Sequence, residues 1–286
     1  MNSKGIDAQT LVLEDVQRSV NEISDQIGTI QAAQEKAAII NWLSSYDYVL
    51  HHQQACQTYC QNTCLWMLDN PSFKTWLDSR PGSLWLSGPA GSGKTVLTSF
   101  VIKHLQTHCL PRNAVAYFYC NANTSQSLST ETVLSSLLSQ LCISEVPSSV
   151  IKLYRKAIGI SGKPGPLSVE KLKATLADVI QVHGSFTFVV DGIDEALEPH
   201  ALCEILYSFT KMPGSRLQLF LSSRPDFEVE AALTHVPSLT ASNNLLQQDI
   251  DLYVKHRLVV DRRLAKLSDG TRSHIYQALM KKSDGM

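Results

Sequence analysis

The chain has 286 residues, enough for one large domain or two modest ones that bury roughly 75% of the unfolded surface without a disulfide or metal staple. Its 25 Lys and Arg against 26 Asp and Glu leave a net charge of −1, which argues against a nucleic-acid grip and against membrane-surface binding, since both need a basic excess. No apolar run approaches the ~18 residues needed to cross a bilayer and no secretory signal opens the chain, so a cytoplasmic α/β or α protein is expected.

Near the N-terminus, Leu13, Val16, Val20, Ile23, Ile27 and Ile30 alternate steps of three and four. That is a heptad seam, and it predicts one amphipathic helix over roughly residues 8–40. Such a helix either packs on its own domain or serves self-assembly or docking of a protein partner. A second helical stretch runs from Trp42 to about Asp69 and ends at Asn70-Pro71. Within it Cys56, Cys60 and Cys64 fall at i, i+4 and i+8, just after His51 and His52. On a helix these thiols would form a stripe, so a metal site is conceivable, but zinc sites usually use tighter pairs on turns. Buried free thiols are the simpler reading, and seven scattered cysteines do not form an extracellular framework.

After Pro81-Gly82 the character changes. Short apolar runs at 83–87, 114–120, 186–190 and 217–221, with a weak one at 238–240, read as buried strands. Helical patterns lie between them at about 95–107, 130–142, 148–157, 168–182 and 200–210. Strands alternating with helices mean crossover connections and a mostly parallel sheet covered on both faces, an α/β fold. The Gly- and Pro-dense stretch 159–166 is a loop, and its Gly162-Lys163 pair lacks the first glycine and the hydroxyl of a phosphate loop. Beyond residue 245 the chain turns helical again.

Gly88-Pro89-Ala90-Gly91-Ser92-Gly93-Lys94-Thr95 fits GxxxxGK[ST] at every fixed position, with a strand before it and a helix after it. Glycines let successive backbone N–H groups turn toward a β-phosphate, and the helix N-terminus adds partial positive charge. Lys94 is expected to reach the β- and γ-phosphates, and the Thr95 hydroxyl to ligate Mg²⁺. A second strand ends in Asp191-Gly192-Ile193-Asp194-Glu195, which puts an acid at the C-terminal edge of the sheet, where ligands of open α/β folds sit. Asp191 is therefore the candidate Mg²⁺ carboxylate. Asp194 and Glu195 are candidates to orient or deprotonate water, or else helix-start acids that complement the dipole. A third strand ends in Ser222-Ser223-Arg224-Pro225. Beside the other two motifs, Arg224 is a candidate to sense the γ-phosphate and stabilise transferred charge.

These three motifs in this order resemble the NACHT branch of the STAND P-loop NTPases, and more narrowly the fungal NACHT proteins and the nephrocystin-type P-loop domain. The similarity extends to Ile40-Asn41-Trp42-Leu43-Ser44, Leu65-Trp66-Met67-Leu68 and Phe73-Lys74-Thr75-Trp76-Leu77 upstream. Downstream it includes Asp249-Ile250, Tyr253-Val254 and the terminal Lys282-Ser283-Asp284-Gly285-Met286. One departure is Asn62-Thr63-Cys64, which stands where such proteins carry a glycine-flanked threonine. The resemblance implies a five-stranded parallel sheet in the order 5-1-4-3-2, a helical N-terminal extension and a partial C-terminal helical lid. It divides the chain into a heptad helix (1–40), a helical lead-in (41–82), the nucleotide-binding core (83–240) and the start of the lid (241–286). It also implies a slow ATP- or GTP-dependent switch with Mg²⁺, whose output is oligomerisation and signalling. The winged helix and repeats of such proteins fall outside the sequence, so one module of a longer design is expected. A non-hydrolysing scaffold is the competing reading. ATP is favoured over GTP because no NKxD-type guanine motif exists; Thr210-Lys211-Met212-Pro213 lacks the acid.

Overall fold

The computed structural model describes residues 3–44, 46–108, 113–122, 124, 128–159, 162–182 and 184–283, with the side chains of all but 3–16, 113 and 243. Five parallel strands form the core: β1 (Gly82–Ser87), β2 (Asn113–Tyr119), β3 (Ser185–Asp191), β4 (Gln218–Ser223) and β5 (Ser238–Thr240). Their order is β2-β3-β4-β1-β5, the expected 5-1-4-3-2 read from the other edge. The strand of Arg224 therefore lies between the strands of the phosphate loop and of Asp191.

Both faces of this sheet are covered, which is why its strands read as continuous apolar runs. Successive side chains point to opposite faces. Phe118, Phe188, Leu219 and Leu221 pack with α6 (Thr130–Leu141), α8 (Val169–Val182) and α9 (Pro199–Thr210). Leu84, Leu86, Val189 and Phe220 pack on the other side with α4 (Pro71–Asp78) and α5 (Lys94–His108). Leu84 and Leu86 are fully buried, each worth roughly 1.5–3 kcal/mol of burial.

Upstream, α1 spans Ser3–Leu43, longer than expected at both ends. Its last turns insert Ile39 and Leu43 into the core. Arg155 on α7 (Ser148–Ile158) pairs with Glu35 at 3.0 Å, and Lys36 donates to the Ser144 carbonyl at 3.0 Å. The seam residues Val20, Ile23, Ile27 and Ile30 stay 49–57% exposed, so this part of the helix does not pack on its own domain. The side chains of Leu13 and Val16 lie outside the described residues.

The helical stretch expected from Trp42 to Asp69 is divided into separate helices. Leu43 ends α1, α2 runs Tyr48–Gln57, and α3 is the short Trp66–Asp69. Asp47 restarts the helix by accepting from the Leu50 N–H at 2.9 Å. Asn62 and Cys64 then take left-handed φ of 69° and 65°, which no helix tolerates. The Cys56/Cys60/Cys64 stripe is thus broken. All six described cysteines are free, and no metal-ligating cluster exists among the described residues. Cys56 instead lies 3.5 Å from His52 Nε2, whose Nδ1 bonds the Tyr119 hydroxyl at 2.8 Å.

A short helix that sequence reading passed over, α10 (Phe227–Ala232), follows Arg224 and is capped by Asp226. The chain closes on α11 (Asn243–Val260) and α12 (Asp269–Ser283). Ile160, Ser161 and the last three residues named above, 284–286, lie outside the described residues. Among the described residues no helix is long and apolar enough to cross a membrane.

Candidate functional site

Gly88–Thr95 turns from the end of β1 into α5. Gly91 and Gly93 hold φ of 79° and 80°, a conformation that only glycine adopts cheaply. At Gly88 space is tight instead: a Cβ there would lie 2.7 Å from Ser92 Oγ, which would have to turn away, and 3.1 Å from the Ala241 Cβ. Lys94 folds back over the loop and donates to the carbonyls of Gly88 and Pro89, both at 2.8 Å. Burial lowers its pKa, with the nearby Asp194 and Asp191 charges opposing.

Asp191 sits at the C-terminal end of β3 and is 4% exposed. It accepts the Thr95 hydroxyl at 2.7 Å, the Thr98 hydroxyl at 2.8 Å, and the Ser222 hydroxyl. Burial raises its pKa, while those three hydroxyls pull it down. The two expected Mg²⁺ ligands, Thr95 and Asp191, are therefore in direct contact. Thr98 and Ser222 complete the shell and were not singled out as ligands; Thr98 is one helical step beyond the motif and gives no signature of its own.

Gly192 then reverses the chain at φ 70°, and a Cβ there would strike the Cys120 carbonyl at 2.9 Å. That turn brings both following acids under the end of β4. Asp194, with its side chain 5% exposed, accepts from the Arg224 backbone N–H at 3.0 Å and from Arg224 Nε at 2.6 Å. Glu195 lies 3.7 Å from Arg224 Nη2 and accepts from the Ala122 N–H at 2.7 Å. The paired Asp194 carboxylate raises the Arg224 pKa, by hydrogen bond first and charge second, so the guanidinium stays charged.

Two cavities flank the phosphate loop. One, about 350 Å³, is polar and is lined by Lys94, Thr95, Asp191, Asp194, Glu195 and Arg224. All the expected chemistry-bearing residues meet there. The other, about 260 Å³, is largely apolar and lies between Gly91–Gly93, the Cys60–Cys64 turn and the face of α11 that carries Leu246, Ile250 and Tyr253. Asp249 pins that helix to the turn: its Oδ2 accepts from the Cys64 N–H at 2.9 Å and from Trp66 Nε1 at 3.0 Å. Burial raises its pKa, against those two bonds. That the Cys60–Cys64 turn and α11 face each other across a cavity required the fold.

A parallel sheet in this order, with a phosphate loop, a buried carboxylate on its threonine and an arginine at the end of the intervening strand, defines a P-loop nucleotide-binding protein of the NACHT-like type. Residues 62–224 match the family described as Nephrocystin 3, N-terminal, and the chain belongs to that family. It is 27% identical over 236 residues to the vegetative incompatibility protein HET-E-1 of Podospora anserina, covering 76% of this chain but only 17% of that protein. Among solved structures it is similar to Drosophila ORC bound to DNA, with a TM-score of 0.44 at 15% identity over 80% of this chain and 57% of that one. It is also similar to Cdc6p from Pyrobaculum aerophilum, with a TM-score of 0.44 at 13% identity over 70% and 53%.

Proposed function

We propose that the chain binds a nucleoside triphosphate with Mg²⁺, hydrolyses it slowly and acts as a signalling switch module. The observation that carries this reading is the convergence of Lys94, Thr95, Asp191, Glu195 and the Asp194–Arg224 pair on one cavity beside the phosphate loop. The donor set suits Mg²⁺, because a threonine hydroxyl and a carboxylate are hard oxygen ligands. When bound, the ion neutralises charge on the β- and γ-phosphates.

Lys94 is ready to leave the two loop carbonyls and follow the phosphates into the same space, trading neutral acceptors for charged ones. Arg224 contacts the γ-phosphate, and Asp194 acts through it by holding the guanidinium at the sheet edge. Glu195, the more exposed of the two acids, orients the attacking water. The base occupies the apolar cavity between the Cys60–Cys64 turn and α11. We favour ATP, with GTP as the alternative to be tested.

Titration with fluorescent ATP and GTP analogues plus Mg²⁺, in wild type and Lys94→Ala, tests binding. Undiminished binding in the variant overturns the site assignment. Comparing hydrolysis in wild type and Glu195→Gln tests the switch; equal, background-level rates overturn it.

A second reading rests on the exposed Val20, Ile23, Ile27 and Ile30 seam: an oligomerisation scaffold in which nucleotide only stabilises the fold. Its mark is assembly through α1 that is indifferent to which nucleotide is bound.

A further inference from the structure

The apolar cavity beside Gly91–Gly93 carries one charged side chain among its described lining residues, Asp249. On α11 it stands between Leu246, Ile250 and Tyr253, which line the same cavity, so the carboxylate is set within an apolar helix face. Its bonds to the protein use a single oxygen: Oδ2 takes both the Cys64 N–H and the Trp66 indole N–H. Oδ1 takes no hydrogen bond from any described residue. It is not sealed off either. Asp249 is half-buried, and Oδ1 is absent from the buried polar atoms without a partner, so it keeps accessible surface.

A carboxylate oxygen only accepts, and it has room for about two hydrogen bonds. No basic side chain pairs with Asp249 among the described residues, so its charge is desolvated without a cation to offset the cost. Burial accordingly raises its pKa. A hydrogen-bond donor brought in from the cavity would relieve that cost. The walls say what carries the donor: apolar side chains flank the carboxylate and suit a flat ring with few polar groups. Ring nitrogens and carbonyls of a base are acceptors that an anion repels, whereas a base amino group donates.

Building on the nucleotide reading above, we infer that Asp249 selects the base: its Oδ1 accepts an amino N–H of a purine, with adenine N6 as the expected donor. The 2-amino group of guanine offers the same chemistry. A purine without an amino group leaves the carboxylate unpaired against an apolar surface, and discrimination comes from that loss.

Isothermal titration of the whole chain with Mg²⁺ compares two pairs of triphosphates that differ by one amino group. ATP is set against purine riboside 5′-triphosphate, and GTP against inosine 5′-triphosphate. ATP is expected to bind about tenfold or more tightly than its amino-free partner, the size of a lost hydrogen bond to a charged group. Asp249→Asn keeps a carbonyl for Cys64 and Trp66 but presents an N–H donor in place of Oδ1, so that ratio should fall to about one. Its urea midpoint beside that of the wild type checks that the fold is kept; should the variant not fold, the wild-type ratios stand as the test. A ratio found only in the GTP pair, and lost in Asp249→Asn, supports the same contact with guanine as the base. Equal affinities within both pairs in the wild type, or a ratio that Asp249→Asn leaves unchanged, overturn the inference and leave the nucleotide site standing. If none of the four triphosphates binds, the nucleotide reading itself falls and takes this inference with it.

Discussion

Thr95 donates its hydroxyl to Asp191 Oδ2 across 2.7 Å, although the two lie 96 residues apart in the chain. This bond joins the start of α5 to the end of β3, and it closes only because β4 separates β1 from β3 at the spacing of a parallel sheet. The same carboxylate also takes Thr98 and Ser222, so one buried acid organises three elements.

Replacing Asp191 should therefore cost stability as well as ligand binding. Thr98 and Ser222 are both 0% exposed, and Asp191→Ala orphans their hydroxyls at ~1–3 kcal/mol each. Asp191→Asn keeps an acceptor for them and should lose much less. Urea midpoints separate the two variants, while both are expected to abolish the Mg²⁺ dependence of nucleotide binding.

Lys94→Ala should leave the fold intact, since its side chain bonds only two loop carbonyls, one of them on the exposed Pro89. Nucleotide affinity should fall by roughly 10- to 100-fold, the size of a lost hydrogen bond to a charged group. Fluorescence titration paired with a thermal melt checks both halves of this expectation.

Gly192→Ala tests the reversal before the two acids. Its φ of 70° and a Cβ-to-carbonyl approach of 2.9 Å together should cost about 1–3 kcal/mol. If the Arg224–Asp194 geometry depends on this turn, hydrolysis should fall even where the variant remains folded. A wild-type urea midpoint would show the carbonyl of Cys120 to be freer than its position implies.

Asp249 carries a pH signature. Burial raises its folded pKa above the ordinary carboxylate value, so the folded state binds the proton more tightly than the unfolded one. That contribution to stability is present at low pH and is lost as the pH rises through the folded pKa. Both hydrogen bonds go to one oxygen, which an asparagine carbonyl can replace. Asp249→Asn should then stabilise the protein more at about pH 7.5 than at about pH 4.5, measured by urea unfolding at each. Asp249→Ala, which orphans the Trp66 indole, should destabilise at both.

Ile27→Asp addresses the α1 seam. Ile27 is 49% exposed, so the monomer's melting temperature should move little, within the ~0.5 kcal/mol usual for surface changes. Sedimentation should show a smaller species than wild type if the seam assembles copies. Identical sedimentation of both proteins removes the scaffold reading.

Much of the fold was legible because its signals are local. Each buried strand is a short apolar run with turn residues at its ends, and Lys94-Thr95 announces a helix start by its motif. The misses are equally physical. Composition alone does not place the break within Tyr59-Cys60-Gln61-Asn62-Thr63-Cys64, where Asn62 and Cys64 adopt positive φ and the Asp249 carboxylate, 185 residues away, accepts the Cys64 N–H. The seam of α1 read correctly as amphipathic, but periodicity says only that a face is apolar, not what covers it.

Sequence by itself determined the motifs: a glycine-rich loop with Lys94 and Thr95, an acid at the end of an apolar strand, and an arginine at the end of another. Those follow from residue type and spacing along one strand or turn. Only the tertiary structure decided how the groups are paired. Asp194 is bound to Arg224 while Glu195 reaches the loop after β2, because the turn at Gly192 aims two adjacent acids in different directions. It also left the indole N–H of Trp76 buried without an acceptor among the described residues. Such outcomes depend on which elements the sheet order makes neighbours, and no local pattern in the chain encodes that.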